Sequence, residues 1–216
     1  MNIEIRKVLP KNADGKRASN RASNRDAILH AARAVFAELG YGGATVRDII
    51  RRTDLATGTF YNYFTNKEDV FEALTRESGE ELRALLSAAR QEADNFEQFI
   101  EASYLTYFSY YAENPETYHL VRSNRGRDGG NINMRGPQVT AGLAEMRQDI
   151  ERAMKLGMIP QNDAALLTAA IGGVAFSILD EIMQGDKIDP QGAARFATKL
   201  FMRGIDGSID GSIDGA

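Results

Sequence analysis

Apolar positions recur at helical spacing along almost the whole chain. Ile28, Leu29, Ala32, Val35, Phe36 and Leu39 share one face and predict a helix over 24–39. Ser23 suits its N-cap, Asp26 the third position, and Gly40 its stop. Thr45 opens a second helix to about 53, with Asp48 completing a capping box. Asp54-Leu55-Ala56 reads as a three-residue turn, tolerated because Asp enters the left-handed region more easily than most residues. A short helix follows over 57–64. Asn66 then caps a fourth helix from 67 to about 91, with Asp69 at the third position and Phe71, Leu74, Leu82, Leu85 and Leu86 along it.

The remainder keeps the same period. A helix over 96–113 is stopped by Asn114-Pro115, and a short one covers 115–122. Four glycines between 123 and 136 predict a loop. Residues 137–156 carry Val139, Leu143, Met146, Ile150 and Met154 on one face; Gly157 ends that helix and Pro160 blocks its continuation. Residues 164–183 are apolar almost all round, and 190–202 form the last helix. No segment has the alternation of a strand. The expected class is all-α, with about nine helices.

A chain of 216 residues, 43% of them hydrophobic, can bury a core without staples. The absence of cysteine excludes disulfides, thiolate metal sites and thiol nucleophiles. His30 and His119 are the only histidines, which argues against a histidine metal site or a Ser-His-Asp hydrolase. No carboxylate pair has a recognisable catalytic spacing, so neither an enzyme nor a cofactor or metal is expected. There is no apolar leader, and a soluble cytoplasmic protein is expected. The terminal Ile-Asp-Gly-Ser repeat lacks the spacing and closing glutamate of a calcium loop and reads as a disordered tail.

Charge is divided unevenly. Residues 1–67 hold twelve Lys or Arg against six acids, a net of +6; residues 68–216 hold fourteen against twenty-four, a net of −10. A basic N-terminal third on an acidic body is either a localised electrostatic footprint, as for nucleic acid, or a solvated basic tail with no partner.

Two short helices joined by a tight turn form a helix–turn–helix, the unit that places a helix in the major groove. Ile49, Leu55, Phe60 and Phe64 are its expected core. Thr57, Thr59, Tyr61, Asn62 and Tyr63 give the second helix a dense polar and aromatic face, and Gly58 permits close backbone approach. The stretch from Thr45 to Val70, above all Thr57-Gly-Thr-Phe-Tyr-Asn-Tyr-Phe64 followed by Asn66-Lys67-Glu68, resembles the TetR family of bacterial regulators. The likeness is motif-level over 24–72 and rests on helix count and length beyond. It implies that Thr45, Thr59, Tyr61, Tyr63 and Lys67 contact mainly the DNA backbone. Thr57, Gly58 and Asn62 would face bases, with Arg47 near either. Ala56 stands where the family usually has a capping serine, Asp54 replaces a usual glycine, and Ile50 and Thr53 replace alanines.

The resemblance divides the chain into a disordered basic arm (1–22), the helix–turn–helix domain (23–67), a helical ligand-binding and dimerisation domain (68–204) and the tail (205–216). Eight of the eighteen Phe and Tyr residues lie between 96 and 118. That density fits a filled core as well as a cavity. The family carries its inducer pocket in this region, which makes Phe99, Tyr104, Tyr107, Phe108, Tyr111 and Tyr118 candidate lining, with Met146 and Ile150 opposite. Arg122, Arg125, Arg127 and Arg135 flank the glycine-rich loop, either as an anion site or as a solvated loop.

The 164–183 stretch approaches the length of a membrane span, but Thr168, Gly172, Gly173 and Ser177 interrupt it and Asp180-Glu181 closes it. The family accounts for it as half of a four-helix dimer bundle. Ala165, Ala169 and Gly172 would allow close approach, and Phe176, Leu179, Met183, Phe196 and Leu200 would supply apolar surface. The reading is a homodimeric repressor on a pseudo-palindromic operator, released by a small hydrophobic, aromatic or acyl ligand that shifts the fourth helix. The alternative is a constitutive or activating regulator with no inducer.

Overall fold

A computed structural model describes residues 13–123 and 137–206. All regular structure among them is helical: α1 (Ala13–Gly43), α2 (Val46–Ile50), α3 (Thr57–Tyr61), α4 (Lys67–Gln91), α5 (Phe96–Glu113), α6 (Pro115–Ser123), α7 (Pro137–Lys155), α8 (Ala164–Gln184) and α9 (Pro190–Asp206). The all-α expectation holds. Backbone contacts divide the chain into two compact units, the first ending at Leu74 and the second starting at Thr75.

In the first unit, Ile28, Leu29, Ala32, Val35 and Phe36 of α1 are buried as their spacing requires, while Leu39 stays about half exposed. At Gly40 the backbone turns to φ 67°, ψ 160°, a conformation glycine adopts at no steric cost, and the helix axis breaks there. The break delivers Tyr41 to Phe36 and Phe71, with ring centroids 5.6 and 4.7 Å away. Helix α1 begins at Ala13 and not at the Ser23 cap, so residues 13–22 of the expected disordered arm are helical. Ala, Lys and Arg there are strong helix formers, and propensity carries the helix upstream where no apolar stripe announces it. Residues 1–12 lie outside the described part, as do 124–136 and 207–216.

The second unit is built around α5, which packs against α6, α8 and α9. Ile100, Tyr104 and Phe108 are fully or almost fully buried, and Ala194 and Ala197 let α9 approach closely. Local caps set the boundaries. Asn95 accepts the Gln98 amide at 2.9 Å, and Asp163 accepts those of Ala165 and Leu166 at 2.8 and 3.0 Å. Gly157 closes α7 at φ 71°. By length and composition α8 alone among the described helices is apolar enough to cross a membrane. Its Thr168, Ile171, Gly172 and Leu179 are instead buried within this unit.

Candidate functional site

The helix–turn–helix is set by caps and a few buried side chains. Thr45 caps α2: its hydroxyl accepts the Asp48 amide at 3.3 Å and donates to the Asp48 carboxylate at 2.5 Å, and that carboxylate also accepts the Thr45 amide at 3.0 Å. The Thr45 hydroxyl holds the Asp48 carboxyl below its ordinary value of 3.8. Helix α3 starts at Ala56 with no side-chain cap, as the substitution of the usual serine implied. It is anchored from within. Ile49 and Phe60 are fully buried and Phe64 nearly so, whereas Leu55 is half-buried.

With Phe60 facing inward, the rest of α3 faces outward. Thr57, Gly58, Tyr61 and Asn62 are exposed, Tyr61 by 57%; Thr59 and Tyr63 are half-buried. Thr57 and Tyr61 form one wall of a shallow groove whose other wall is Val46, Arg47, Ile50 and Arg51. Arg51 was not singled out from the sequence, because a basic residue at a helix end reads as a solvated charge. Gly58 has no internal reason to be glycine. Its φ is not positive, and a Cβ there would meet nothing within 4 Å.

Lys67 is engaged within the fold. Its ammonium donates to the carbonyls of Tyr41 and Ala44, both at 2.9 Å, and lies 4.7 Å from the centre of the Tyr41 ring. Two of its three donors therefore hold the end of α1, where lone carbonyls gather. Beside it, the Tyr41 hydroxyl donates to Glu68 at 2.6 Å. Asn66 caps α4 through the Asp69 amide at 2.8 Å.

In the second unit a cavity of about 110 Å³ lies among α4, α5, α7 and α8. Of the candidate lining residues, Tyr104, Tyr107, Tyr111 and Met146 border it. The other four candidates do not. Phe108 and Ile150 are fully buried in the core, and Phe99 stacks on Phe96 with ring centroids 5.7 Å apart. The Tyr118 hydroxyl donates to Asp180 at 3.0 Å and accepts from Arg122 at 2.8 Å. Burial, then the Asp180 carboxylate, raises its pKa. On a helix this aromatic, only the neighbouring helices decide which rings meet space. Burial likewise pushes the Tyr104 phenol well up, and its hydroxyl donates to the Ile171 carbonyl at 3.2 Å.

Several lining residues were not anticipated: Leu82, Leu86, Ser103, Leu143, Ala175 and two arginines, Arg83 and Arg90. Arg83 donates to Gln138 at 3.0 Å and pairs with Glu145. Its Nε is buried without a hydrogen-bond partner among the described residues. Arg90, whose side chain is 4% exposed, donates from Nε to Asp149 at 3.0 Å. Contacts advance in the same direction along α4 and α7, from Gly79 with Gln138 to Arg90 with Asp149. The two helices come together at Gly79, where a Cβ would lie 2.6 Å from that of Gln138.

The residues expected to form a dimer surface separate into two groups. Ala165, Ala169, Phe196 and Leu200 are exposed. Leu179 is buried in the core, and Gly172 faces Leu143 inside the unit. Phe176 lines the cavity with its ring against Tyr107, and Met183 packs on the same core. Helix α8 is apolar all round, so periodicity could not tell its inner stripe from its outer one. The outer stripe includes Leu166, which is 69% exposed. Of the loop arginines, Arg122 donates to Tyr118 and Gln184; Arg125, Arg127 and Arg135 lie outside the described residues.

Residues 28–74 match the family model of bacterial regulatory proteins, tetR family. Over those residues the chain carries a TetR-family DNA-binding domain. Its helix–turn–helix segment is similar to the HTH-type transcriptional repressor AcnR of Corynebacterium glutamicum, with 40% identity over 65 residues. That match covers 30% of this chain and 35% of AcnR, so the chain spans about a third of the length of this curated relative. The helical arrangement extends further. The fatty acid degradation regulator FadR from Bacillus halodurans superposes with a TM-score of 0.72 at 22% identity, over 87% of this chain and 96% of that one. A TetR-family transcriptional regulator from Pectobacterium atrosepticum gives 0.65 at 22% identity over 87% and 96%. At that identity the likeness is one of fold. The comparisons thus show a TetR-type helix–turn–helix in the first unit and a helical fold shared with TetR-family proteins over most of the chain.

Proposed function

We propose that this protein is a homodimeric TetR-family repressor that reads a pseudo-palindromic operator and leaves it when a small hydrophobic ligand occupies the cavity of the second unit. The observation that carries the DNA reading is Gly58. Gly42 and Gly173 have the same open space, but Gly58 sits on the outward face of α3, where a close-approaching partner gives a reason for glycine. A phosphate or base edge approached by exposed Thr57, Tyr61 and Asn62 supplies that reason. Arg47 and Arg51 provide the positive charge beside them. Lys67 contributes by fixing the turn before α4.

Dimerisation is supported by the exposed apolar stripe of Leu166, Ala169, Phe196 and Leu200 on α8 and α9. A twofold pair would set two copies of α3 near one helical turn of DNA apart, about 34–36 Å, or a multiple of it. Helix α4 carries Lys67–Leu74 in the first unit and cavity residues Gly79–Arg90 in the second. A ligand that binds one setting of α4 better than another shifts the population toward release. The small cavity volume favours a second reading, a regulator without an inducer. An engineered cavity of about 150 Å³ holds a benzene, so a larger effector must displace Leu143 or Met146.

The test is selection of double-stranded sites from a random library with the full chain. A pseudo-palindrome should be enriched, its affinity falling by a factor on the order of 10³ or more between 50 and 200 mM salt. Asn62→Ala should lose about tenfold or more on the selected site without changing thermal stability. Absence of enrichment, or salt-independent binding, overturns the DNA reading.

A further inference from the structure

We propose that Arg90 is the anchor for the acidic end of an apolar carboxylate bound in this cavity. The proposal rests on the reading of the cavity as an effector site, and it assigns the chemistry of that effector.

The walls are apolar apart from a few groups. Two of the lining residues are cationic and none is acidic. Most of the polar atoms already have partners. The Ser103 hydroxyl donates to the Phe99 carbonyl at 2.7 Å, and that of Tyr104 to Ile171. Both terminal nitrogens of Arg83 are taken by Gln138 and Glu145, and only its Nε, on the inner edge, lacks a partner among the described residues. Arg90 is different. Its side chain is almost wholly buried, yet only Nε is bonded; Nη1 and Nη2 have no hydrogen-bond partner among the described residues. What little of the side chain is exposed includes these two nitrogens, which leaves them open to a ligand.

Asp149 pairs with Arg90 and is shared with Arg152, whose Nη1 lies 3.8 Å from its other oxygen. Asp149 fixes the Nε edge, and the Phe99 ring lies 6.0 Å from the guanidinium carbon. The end of the fork, Nη1 with Nη2, is what remains to be bound. That geometry matches the two oxygens of a carboxylate.

The α4 wall is long enough for such a ligand, which enters the cavity of about 110 Å³ by displacing a lining side chain such as Leu143. That wall runs from Gly79 to Arg90, eleven residues or about 16 Å of helix. Arg90 stands at one end of that wall, so a slender apolar body lies along Leu86 and Leu82 with its acid against the fork. A neutral molecule of the same shape leaves the fork unpaired.

Calorimetric titration of the full chain at pH 7 with octanoate, and separately with 1-octanol, tests this. Octanoate should bind about 10- to 100-fold more tightly than octanol, the range set by charge-assisted hydrogen bonds. Arg90→Met should bring the two affinities within about threefold, chiefly by weakening octanoate. Arg90→Lys, which keeps the charge and loses the fork, should fall between. The double variant Arg90→Met with Asp149→Asn removes the acid left behind and replaces the single variant if that does not fold. If octanol binds as tightly as octanoate, or the preference survives in the Met variants, Arg90 is not the anchor and the cavity reading stands. If neither probe binds, the effector-site reading fails, and the anchor with it.

Discussion

Lys67→Met separates two roles for one side chain. The resemblance assigns Lys67 to the DNA backbone, whereas its ammonium spends two donors on the carbonyls of Tyr41 and Ala44. A hydrogen bond from a charged donor contributes about 1.5–3 kcal/mol when well desolvated. Lys67 is half-buried, so water competes and the pair together is worth about 2 kcal/mol. Met keeps the apolar stem over the Tyr41 ring and removes only the charge and its bonds. A loss of that size lowers Tm by about 4–8 °C in a chain of this length melting in one step. Thermal unfolding followed by circular dichroism without DNA measures it. The salt dependence of operator binding supplies the second readout, since losing a phosphate contact reduces the slope by about 0.9. The structure predicts a lower Tm and a nearly unchanged slope. An unchanged Tm with a slope reduced by about one would refute the argument and return Lys67 to the DNA.

Ala56→Ser should restore the missing cap of α3, where Ala56 already has extended backbone angles. The gain is about 1 kcal/mol, read as a higher Tm; no change would mean that water already serves those amides. Phe196→Asp combined with Leu200→Asp places charge on the exposed stripe of α9. Light scattering coupled to size exclusion should show a dimer for the unaltered chain and a monomer for the variant, and a variant that remains dimeric would place the interface elsewhere.

The helix boundaries after α1 were legible because each is written locally. Thr45 with Asp48, Asn66 with Asp69, Asn95, Asp163 and Gly157 satisfy or release backbone groups within a turn of themselves. The helix–turn–helix was legible for the same reason, since Ile49, Phe60 and Phe64 lie within sixteen residues. The start of α1 was not, because propensity without an apolar stripe gives no periodic signal.

What the sequence could not decide was which way the second unit's side chains point. Phe108 and Tyr107 are neighbours on one aromatic helix, yet the first is core and the second lines a cavity. Gly172 and Ala169 share the small size expected of a dimer face, yet Leu143 covers the first while the second is exposed. Arg90 reads along the chain as one more charge at the end of a helix; the fold buries it against Asp149. A local pattern fixes a helix, its ends and its amphipathic tendency. Where a helix is apolar on every side, or where a long cation can reach into a gap, the outcome depends on residues fifty or more positions away. Only the packing of α4, α5, α7 and α8 around one another decided it.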